Sequence, residues 1–387
     1  MKNILWAIGL FLTVSAFGQQ AYLDGNYKPE EGGQVYVTKN QYIVKDIKPV
    51  RNDDAKIRNV ILMIGDGMGV SHVFAAMTAN NNRLYMEQMP YVGFSKTSAK
   101  NNYRTDSAAG GSALATGKKT NYGTISADKN GVADPTILEI ASGKGFATGL
   151  VAACKITHAT PAAFIAHVSR RSQYEDIAAF FVSDSLDVFL GGGSDDFNKR
   201  KSGKSLYPAL EAKGFQIVEN LDKLASLKKG KVAGFFAEGH LEAYPARGEF
   251  LVESTKKAME LLNQDDKGFF LMVEGSQIDW AAHDNNLGTT IEETLDFDRA
   301  VGEVLKFAEQ DGHTLVIVTA DHETGGLSVI NGDLEHGMVE GKFSTGGHSA
   351  VLVPVFAYGP GAENFSGIYE NSAIFEKMMQ AFGFKLP

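Results

Sequence analysis

Cysteine is almost absent from this chain of 387 residues, since Cys154 is the only one. An intramolecular disulfide is therefore impossible, and stability has to come from core burial, with bound metal as a further source. Residues 151–154 form an apolar run, Val-Ala-Ala-Cys, that is typical of a buried strand. This pattern favours a packing role for Cys154, and a reactive thiol is the alternative.

A cluster of basic residues is also missing. Lysine and arginine number 37 against 46 aspartates and glutamates, which gives a net charge of −9. The hydrophobic share of 44% and the charged share of 21% are ordinary for a soluble globular protein. We therefore expect no nucleic-acid partner, although small phosphorylated substrates remain compatible with this composition.

Beyond the amino-terminal segment, no apolar run is long enough to span a membrane. The first residues have the pattern of an export signal. Lys2 precedes an almost wholly apolar stretch over residues 4–17, and small residues stand before Gln19. We predict a signal peptide over residues 1–18 and an exported protein, periplasmic or secreted. A membrane anchor formed by the same segment is the alternative.

From Lys56 onward, strand-like apolar runs alternate with helix-like segments. This alternation predicts an α/β fold with a largely parallel central sheet and helices on both faces. One helix is marked by cap residues from Thr289 and by helical spacing of the apolar residues that follow. We expect residues 19–55 to form an N-terminal lead-in and residues 56–387 to form one domain. The predicted strands are residues 59–64, 147–153, 187–190, 269–273, 314–319 and 353–358.

Metal-ligand residues follow three of these strands and precede a fourth. Open α/β sheets carry their sites beyond the carboxyl ends of strands, so these distant segments can converge in one crevice. Carboxylates and imidazoles without thiolates suit zinc or magnesium that takes part in chemistry. The pattern predicts a multi-metal hydrolase. The residues are Asp66, Glu274, Asp279, His283, Asp321, His322 and His348.

A run of small residues over 104–117 contains the candidate nucleophile, Ser107. Its centre predicts a helix with Ser107 at or near the amino end. The backbone N–H groups and the dipole at that end favour an anion, which suits a serine alkoxide and the phosphate that it attacks. The alternative is that Asp-Ser at this position is a simple helix cap.

Six short motifs stand in order along the chain, from about Lys56 to Tyr358. The motifs are Asp66-Gly, Thr105-Asp-Ser107-Ala-Ala, His158-Ala-Thr160-Pro-Ala-Ala, Glu274-Gly-Ser-Gln-Ile-Asp279 with His283, Asp321-His322-Glu323-Thr, and Gly347-His348-Ser. Together they resemble the motifs of the alkaline phosphatase family and of its compact bacterial members in particular. The resemblance implies that residues 56–387 are a catalytic domain that hydrolyses phosphate monoesters through a phosphoserine at Ser107. The short connection from Glu323 to His348 leaves room for only a small cap region.

The resemblance also implies two zinc ions and one magnesium ion. The first zinc would be held by Asp279, His283 and His348. The second zinc would be held by Asp66, Asp321 and His322, beside Ser107. Magnesium would be held by Asp66, Thr160 and Glu274. In phosphoryl transfer, two metals about 3.5–4 Å apart can each stabilise one of the two reacting oxygens. The chemistry therefore favours a pair of adjacent metals, independently of the resemblance.

Arg171, eleven residues after Thr160, is implied as the phosphate-binding arginine, with the adjacent Arg170 as the alternative. Two positions depart from some family members. His158 stands where some carry an aspartate near magnesium, and Trp280 where some carry a lysine or histidine near the phosphate. Both departures can alter metal preference and phosphate release, and with His158 the third site can accept zinc or be only partly filled.

Three other functions were compared with this one. A sulfatase would have proline and arginine after its nucleophile, whereas Ser107 is followed by Ala-Ala-Gly. A phosphodiesterase needs room for a second substituent, and an arginine on two phosphate oxygens favours monoesters. A non-catalytic zinc-binding protein has no need of the serine or the arginine. The expected partners are small phosphomonoesters and inorganic phosphate, and a homodimer is one assembly that the sequence allows.

Overall fold

The computed structural model describes residues 27–50 and 56–386, so the predicted signal peptide lies outside the described part of the chain. The strands are β1 (Gln34–Val37), β2 (Asn59–Gly65), β3 (Tyr91–Lys96), β4 (Ala147–Lys155), β5 (Val188–Gly192), β6 (Phe215–Val218), β7 (Lys231–Phe235), β8 (Phe269–Gly275), β9 (Thr314–Thr319), β10 (Glu323–Thr324), β11 (Leu327–Asp333), β12 (Met338–Phe343), β13 (His348–Ser349), β14 (Val353–Tyr358) and β15 (Gly367–Glu370). The α-helices are α1 (Val70–Ala79), α2 (Ser107–Thr116), α3 (Ile137–Gly143), α4 (Ala159–Ala162), α5 (Tyr174–Phe180), α6 (Ser194–Asn198), α7 (Tyr207–Ala212), α8 (Leu221–Ser226), α9 (Phe250–Leu262), α10 (Gln277–His283), α11 (Leu287–Asp311) and α12 (Ser372–Ala381). Two short 3-10 helices cover Met86–Gln88 and Ala362–Phe365.

Ten strands form the central sheet, in the order β15-β3-β14-β9-β2-β8-β4-β5-β7-β6. The pairings from β9 to β6 are all parallel, and only β14 runs against its neighbours β3 and β9. Strands β2, β8 and β9 are buried along their whole length, as expected where both faces of a parallel sheet are covered. The predicted largely parallel sheet is confirmed.

The reversed strand β14 explains why a histidine before a strand can join ligands that come after strands. His348 precedes β14, whereas Asp66 and Asp321 follow the parallel strands β2 and β9. Because β14 is antiparallel to β9, its beginning lies at the edge of the sheet where β9 ends. All four ligand-bearing segments therefore reach the same edge.

The sheet divides the hydrophobic core into two halves. Alternate residues of β2 point to opposite faces, as the period of a strand requires. Ile61 and Met63 pack with residues of α1, α9 and α11. Val60 and Leu62 pack with residues of α2, α3 and α12. Helices cover both faces, as predicted, and Cys154 is fully buried in the second half, in agreement with a packing role.

Residues between β9 and β14 form the small additional region that the sequence predicted. Strands β11 and β12 make an antiparallel sheet with β1 of the lead-in, and β10 pairs with β13.

The long helix α11 begins at Leu287, two residues before the predicted start at Thr289. The reason is its cap, because the side chain of Asn286 accepts a hydrogen bond from the Thr289 N–H.

A buried ion cluster ties α11 to the loop before α9. Arg247 contacts Glu293 and Asp296 at 2.6 Å each, and the three side chains are at most 1% exposed. We predict that Arg247→Leu lowers the free energy of unfolding by about 3–5 kcal/mol, because Glu293 would remain buried without a counter-charge and Asp296 would keep only Arg299, at 3.7 Å. Chemical denaturation monitored by circular dichroism measures the change.

Arg83→Leu is the matched control, since Arg83 pairs with Asp46 and Glu87 on the surface. This substitution should cost less than about 1 kcal/mol. Equal losses in the two variants would contradict a special contribution from the buried cluster.

Candidate active site

The nucleophile candidate is the first residue of α2 and lies beside two predicted metal ligands. Asp106 is the helix cap, and its Oδ1 accepts a hydrogen bond of 3.1 Å from the Ala109 N–H. The Ser107 side chain therefore does not serve as the helix cap. Its Oγ lies 3.4 Å from Asp66 Oδ2 and 3.5 Å from His322 Nε2. This places a hydroxyl at an anion-favouring helix terminus, directly against the ligand cluster.

Small residues bring α2 close to the end of β9. All ten residues of α2 are buried. A Cβ atom built on Gly110 would lie 2.9 Å from the backbone oxygen of Asp321. A Cβ on Gly111 would lie 3.1 Å from Cβ of Ala163. The run of glycine and alanine thus sets the distance between Ser107 and the strand that carries Asp321 and His322.

Asp279, His283 and His348 form the first predicted ligand group. Asp279 and His283 lie four residues apart on α10, so they share one helix face. Nε2 of His283 is 3.4 Å from Asp279 Oδ1, and the two histidine Nε2 atoms are 3.1 Å apart. Nδ1 of His348 donates to the Thr105 carbonyl at 2.7 Å, and Nδ1 of His283 donates to the Gly346 carbonyl at 2.9 Å. These bonds leave both Nε2 atoms available to a metal.

Asp66, Asp321 and His322 form the second group, and all three are fully buried. His322 Nε2 lies 3.4 Å from Asp66 Oδ1 and 3.4 Å from Asp321 Oδ2. The Thr324 hydroxyl lies 3.2 Å from His322 Nδ1 and donates a short hydrogen bond to Asp279. It can therefore accept the Nδ1–H of His322, which leaves Nε2 free.

Glu274 and Thr160, which belong with Asp66 to the third predicted group, are also fully buried. Glu274 accepts a hydrogen bond of 2.6 Å from the Ser276 hydroxyl through Oε2, whereas its Oε1 has no partner. Oδ1 of Asp66 and Oδ2 of Asp321 are likewise buried without a hydrogen-bond donor. Buried carboxylate oxygens without donors are costly, and cations would satisfy them.

Burial and mutual repulsion dominate the electrostatics of the site. Burial, followed by the charges of Asp321, Asp279 and Glu274, raises the pKa of Asp66 well above its usual value. Burial raises the pKa of Glu274 to about 7. Burial lowers the pKa of His322 to about 3, so its imidazole is neutral and can serve as a ligand. The donor types and the uncompensated carboxylates fit a multi-metal site.

Arg171, rather than Arg170, lies in the cavity that contains Ser107. This cavity has a volume of about 410 Å³ and is also lined by Asp279, Trp280, His283 and His348. Nη1 of Arg171 donates to Asp106 Oδ2 at 2.9 Å, and Nη2 lies 3.1 Å from Nε2 of His158. Arg170 is exposed. Asp106 thus both caps the nucleophile helix and orients the arginine.

Three residues around the site were not assigned a role from the sequence. Asp106 could have been found from its place in Thr105-Asp-Ser107, and Thr324 from its place after Glu323. His240 lies with its ring centre 4.6 Å from that of Trp280. The Trp280 ring is also 5.6 Å from that of His158, so the two departing positions are in contact. No sequence motif marks His240.

The family model for alkaline phosphatase matches residues 57–340. The chain belongs to the alkaline phosphatase family. Alkaline phosphatase 4 of Bacillus subtilis is 42% identical over 297 residues, which cover 72% of this chain and 64% of that protein. The Escherichia coli alkaline phosphatase is 32% identical over 411 residues, covering 86% of this chain and 87% of the other.

The solved structures show the same relationship. A variant of the alkaline phosphatase from the Antarctic bacterium TAB5, with magnesium bound in its M3 site, is 39% identical. It superposes with a TM-score of 0.80 and covers 86% of this chain and 99% of its own. The predicted alkaline phosphatase-like α/β fold is thus confirmed. Among the described residues, no helix has both the length and the apolar character needed to cross a membrane.

Proposed function

We propose that this alkaline phosphatase family member hydrolyses phosphate monoesters to an alcohol and inorganic phosphate through a covalent phosphoserine at Ser107. The observation that supports this proposal is the position of the Ser107 hydroxyl. It lies at the start of α2, within 3.5 Å of Asp66 and His322, and it shares a cavity with the Arg171 guanidinium. A nucleophile, a cluster of metal ligands and an anion-binding arginine are what displacement at phosphorus requires.

Two zinc ions and one magnesium ion are the cofactors that the ligand groups fit. The groups containing histidine suit zinc, and the oxygen donors Asp66, Thr160 and Glu274 suit magnesium. Magnesium occupies the M3 site of a TAB5 variant in which one histidine is replaced by aspartate, so a relative of this chain can hold magnesium in a third metal site. When bound, these cations lower the pKa of the serine hydroxyl and stabilise charge on the attacking and leaving oxygens. Asp279, His283 and His348 hold one zinc, and Asp66, Asp321 and His322 hold the other.

The chain's own groups perform the remaining work. Ser107 Oγ attacks phosphorus, the bond between phosphorus and the ester oxygen breaks, and the alcohol leaves. The proton lost from Ser107 leaves with the alcohol. Water then attacks phosphorus, the bond between phosphorus and Ser107 Oγ breaks, one proton of the water goes to Oγ, and inorganic phosphate departs with the oxygen of the water. During both steps Arg171 binds two non-bridging oxygens, and its guanidinium is held in place by Asp106 and His158. The N–H groups at the start of α2 face the same anion.

Arg171 gives the test that separates a monoesterase from a diesterase. A monoester dianion offers a guanidinium two free oxygens, whereas a diester has one of its oxygens blocked. We expect Arg171→Ser to lower kcat/KM for monoesters by about 30-fold to 1,000-fold, equivalent to about 2–4 kcal/mol, and to weaken phosphate inhibition. Diester turnover should fall far less. Matched nitrophenyl monoesters and diesters measure both.

Arg170→Ser is the control, because this substitution removes the same charge at an exposed position outside the cavity. It should change both activities little. Equal losses on monoester and diester in the Arg171 variant, or a larger effect at Arg170, would assign phosphate binding elsewhere.

Export and domain division belong to the same proposal. Residues 1–18 are the signal peptide, residues 19–55 the lead-in and residues 56–387 the catalytic domain, and the protein acts in the periplasm or outside the cell. The amino-terminal pattern of Lys2 and the following apolar stretch supports export. Mass spectrometry of the mature protein decides it, since an intact Met1 in exported protein would contradict cleavage.

A homodimer is the proposed assembly. A groove of about 960 Å³ is lined by Val70, Tyr103, Val351 and Leu352, each exposed by at least 38%. Phe74, one turn after Val70 on α1, is 49% exposed. Such an apolar surface supports burial against a second copy. Analytical ultracentrifugation tests it, and a monomer at micromolar concentration would contradict the dimer.

A further inference from the structure

A second arginine, Arg104, lies at the mouth of the cavity that contains Ser107. It is exposed, whereas Arg171 is half-buried. The backbone of this segment is fixed on both sides of Arg104. Its N–H donates to Asn102 Oδ1 at 3.1 Å, and the next carbonyl, of Thr105, accepts a hydrogen bond of 2.7 Å from His348. Arg104 is therefore held at a defined place relative to Ser107, three residues later.

The two guanidinium groups differ in how their donors are used. Arg171 uses Nη1 for a hydrogen bond to Asp106 and Nη2 for a contact with His158. Arg104 has a long hydrogen bond of 3.5 Å from Nη1 to the His348 carbonyl. Within the part of the chain that the structure describes, no carboxylate lies at ion-pair distance from it. Because a guanidinium has five N–H donors, most of those on Arg104 are available to an anion from solution.

Arg171 lies deeper in the cavity than Arg104, so the two arginines contact different parts of a bound substrate. The phosphate under attack has to lie between Ser107 and Arg171. The alcohol that leaves must then extend toward solvent, past the mouth residues Arg104 and Tyr122. A neutral alcohol gives Arg104 nothing to bind, whereas an anionic group on the alcohol meets an unpaired cation.

We propose that Arg104 binds a second anionic group on the alcohol part of the substrate, so that this enzyme favours phosphomonoesters whose alcohol carries a carboxylate or another phosphate. The inference rests on the proposed function, because the phosphate bound at Ser107 is what places the rest of the substrate at the mouth. It assigns Arg104 to substrate specificity and gives it no part in the displacement itself.

The test uses three substrates that share a three-carbon frame. Glycerol 3-phosphate has a neutral alcohol, 3-phosphoglycerate carries a carboxylate instead, and glycerol 1,3-bisphosphate carries a second phosphate. Arg104→Gln should raise KM about threefold to tenfold for the two substrates with an extra anion. It should leave kcat/KM for glycerol 3-phosphate within about twofold. Arg104→Lys, which keeps the charge, should recover part of the loss.

Lys100→Gln is the matched control, because it removes the same charge. Lys100 is an exposed residue of the same segment and lines a different cavity. This substitution should leave all three substrates unchanged, which separates local binding from general attraction. A loss confined to either the carboxylate or the phosphate substrate supports the proposal and identifies the anion. Equal losses on all three substrates in Arg104→Gln would overturn it. Failure of the unmodified enzyme to hydrolyse glycerol 3-phosphate would instead refute the proposed function.

Discussion

Replacing Ser107 with alanine is expected to lower phosphomonoester turnover by at least about a thousandfold, because the atom that forms the covalent intermediate is removed. The fold and the metal content should remain. Ser107 lies at the start of α2, but the cap is provided by Asp106, so helix α2 keeps its terminus in the variant. Steady-state kinetics, circular dichroism and elemental analysis of bound zinc together measure these expectations.

Ser112→Ala is the matched control for the nucleophile. Ser112 is buried on the same helix, and its hydroxyl donates to the Ala108 carbonyl at 2.6 Å. Loss of that hydroxyl should leave turnover within about tenfold, since it has no contact with the ligand groups. If Ser107→Ala retained turnover close to that of the unmodified enzyme, another group would have to be the nucleophile. Trapping of a phosphorylated residue by acid quench would then identify it.

Removal of metal is expected to have the second very large effect. Chelation should abolish activity, and zinc with magnesium should restore it better than zinc alone, because the group of Asp66, Thr160 and Glu274 offers only oxygen donors. Full activity with two metals per chain and no response to magnesium would remove the third site from this description. Metal content and activity have to be followed in the same samples.

The metal-free protein should also have a characteristic dependence of stability on pH. The pKa of Glu274 is raised by burial from 4.5 to about 7 in the folded state. At this one group the folded protein binds more protons than the unfolded chain between these values, so the contribution of Glu274 to stability falls as pH rises from about 4.5 to 7. His322, whose pKa is lowered to about 3, contributes in the opposite direction, so the test is the difference between two chelated proteins. In thermal unfolding, Glu274→Gln should gain stability relative to the unmodified chain as pH rises through this range, and a difference that does not change with pH would contradict the effect of Glu274.

The strands were the most predictable part of the fold. The bounds predicted for β9 and β14, residues 314–319 and 353–358, agree with the structure because each is an apolar run between polar or glycine-rich segments. The direction of β14 could not be predicted, since an apolar run has no direction. Strands β1 and β11 were also not located, because their side chains are mostly exposed or half-buried and lack a clear alternation.

The residues of the candidate site could be predicted from the sequence, whereas the contacts between them could not. The ligand residues and Ser107 stand in short motifs that the sequence displays directly. The contact of Arg171 with Asp106 joins residues 65 positions apart, and the contact of Trp280 with His240 joins helix α10 to the loop after β7. Such contacts depend on how segments pack in three dimensions. The choice of Arg171 over Arg170 came from spacing alone, whereas the structure gives it a geometric reason.

The close packing of helix α2 against the segment after β9 sets helix propensity and activity in opposition. Alanine at Gly110 would favour the helix by roughly 0.5–1 kcal/mol through the backbone entropy of the unfolded chain. The added methyl group, however, would meet the backbone of Asp321 at 2.9 Å and push the helix and that segment apart, which destabilises the packing. A substitution chosen for helix propensity alone would therefore displace the nucleophile from its ligands. Gly110 keeps a weaker helix together with a short distance from Ser107 to Asp66 and His322.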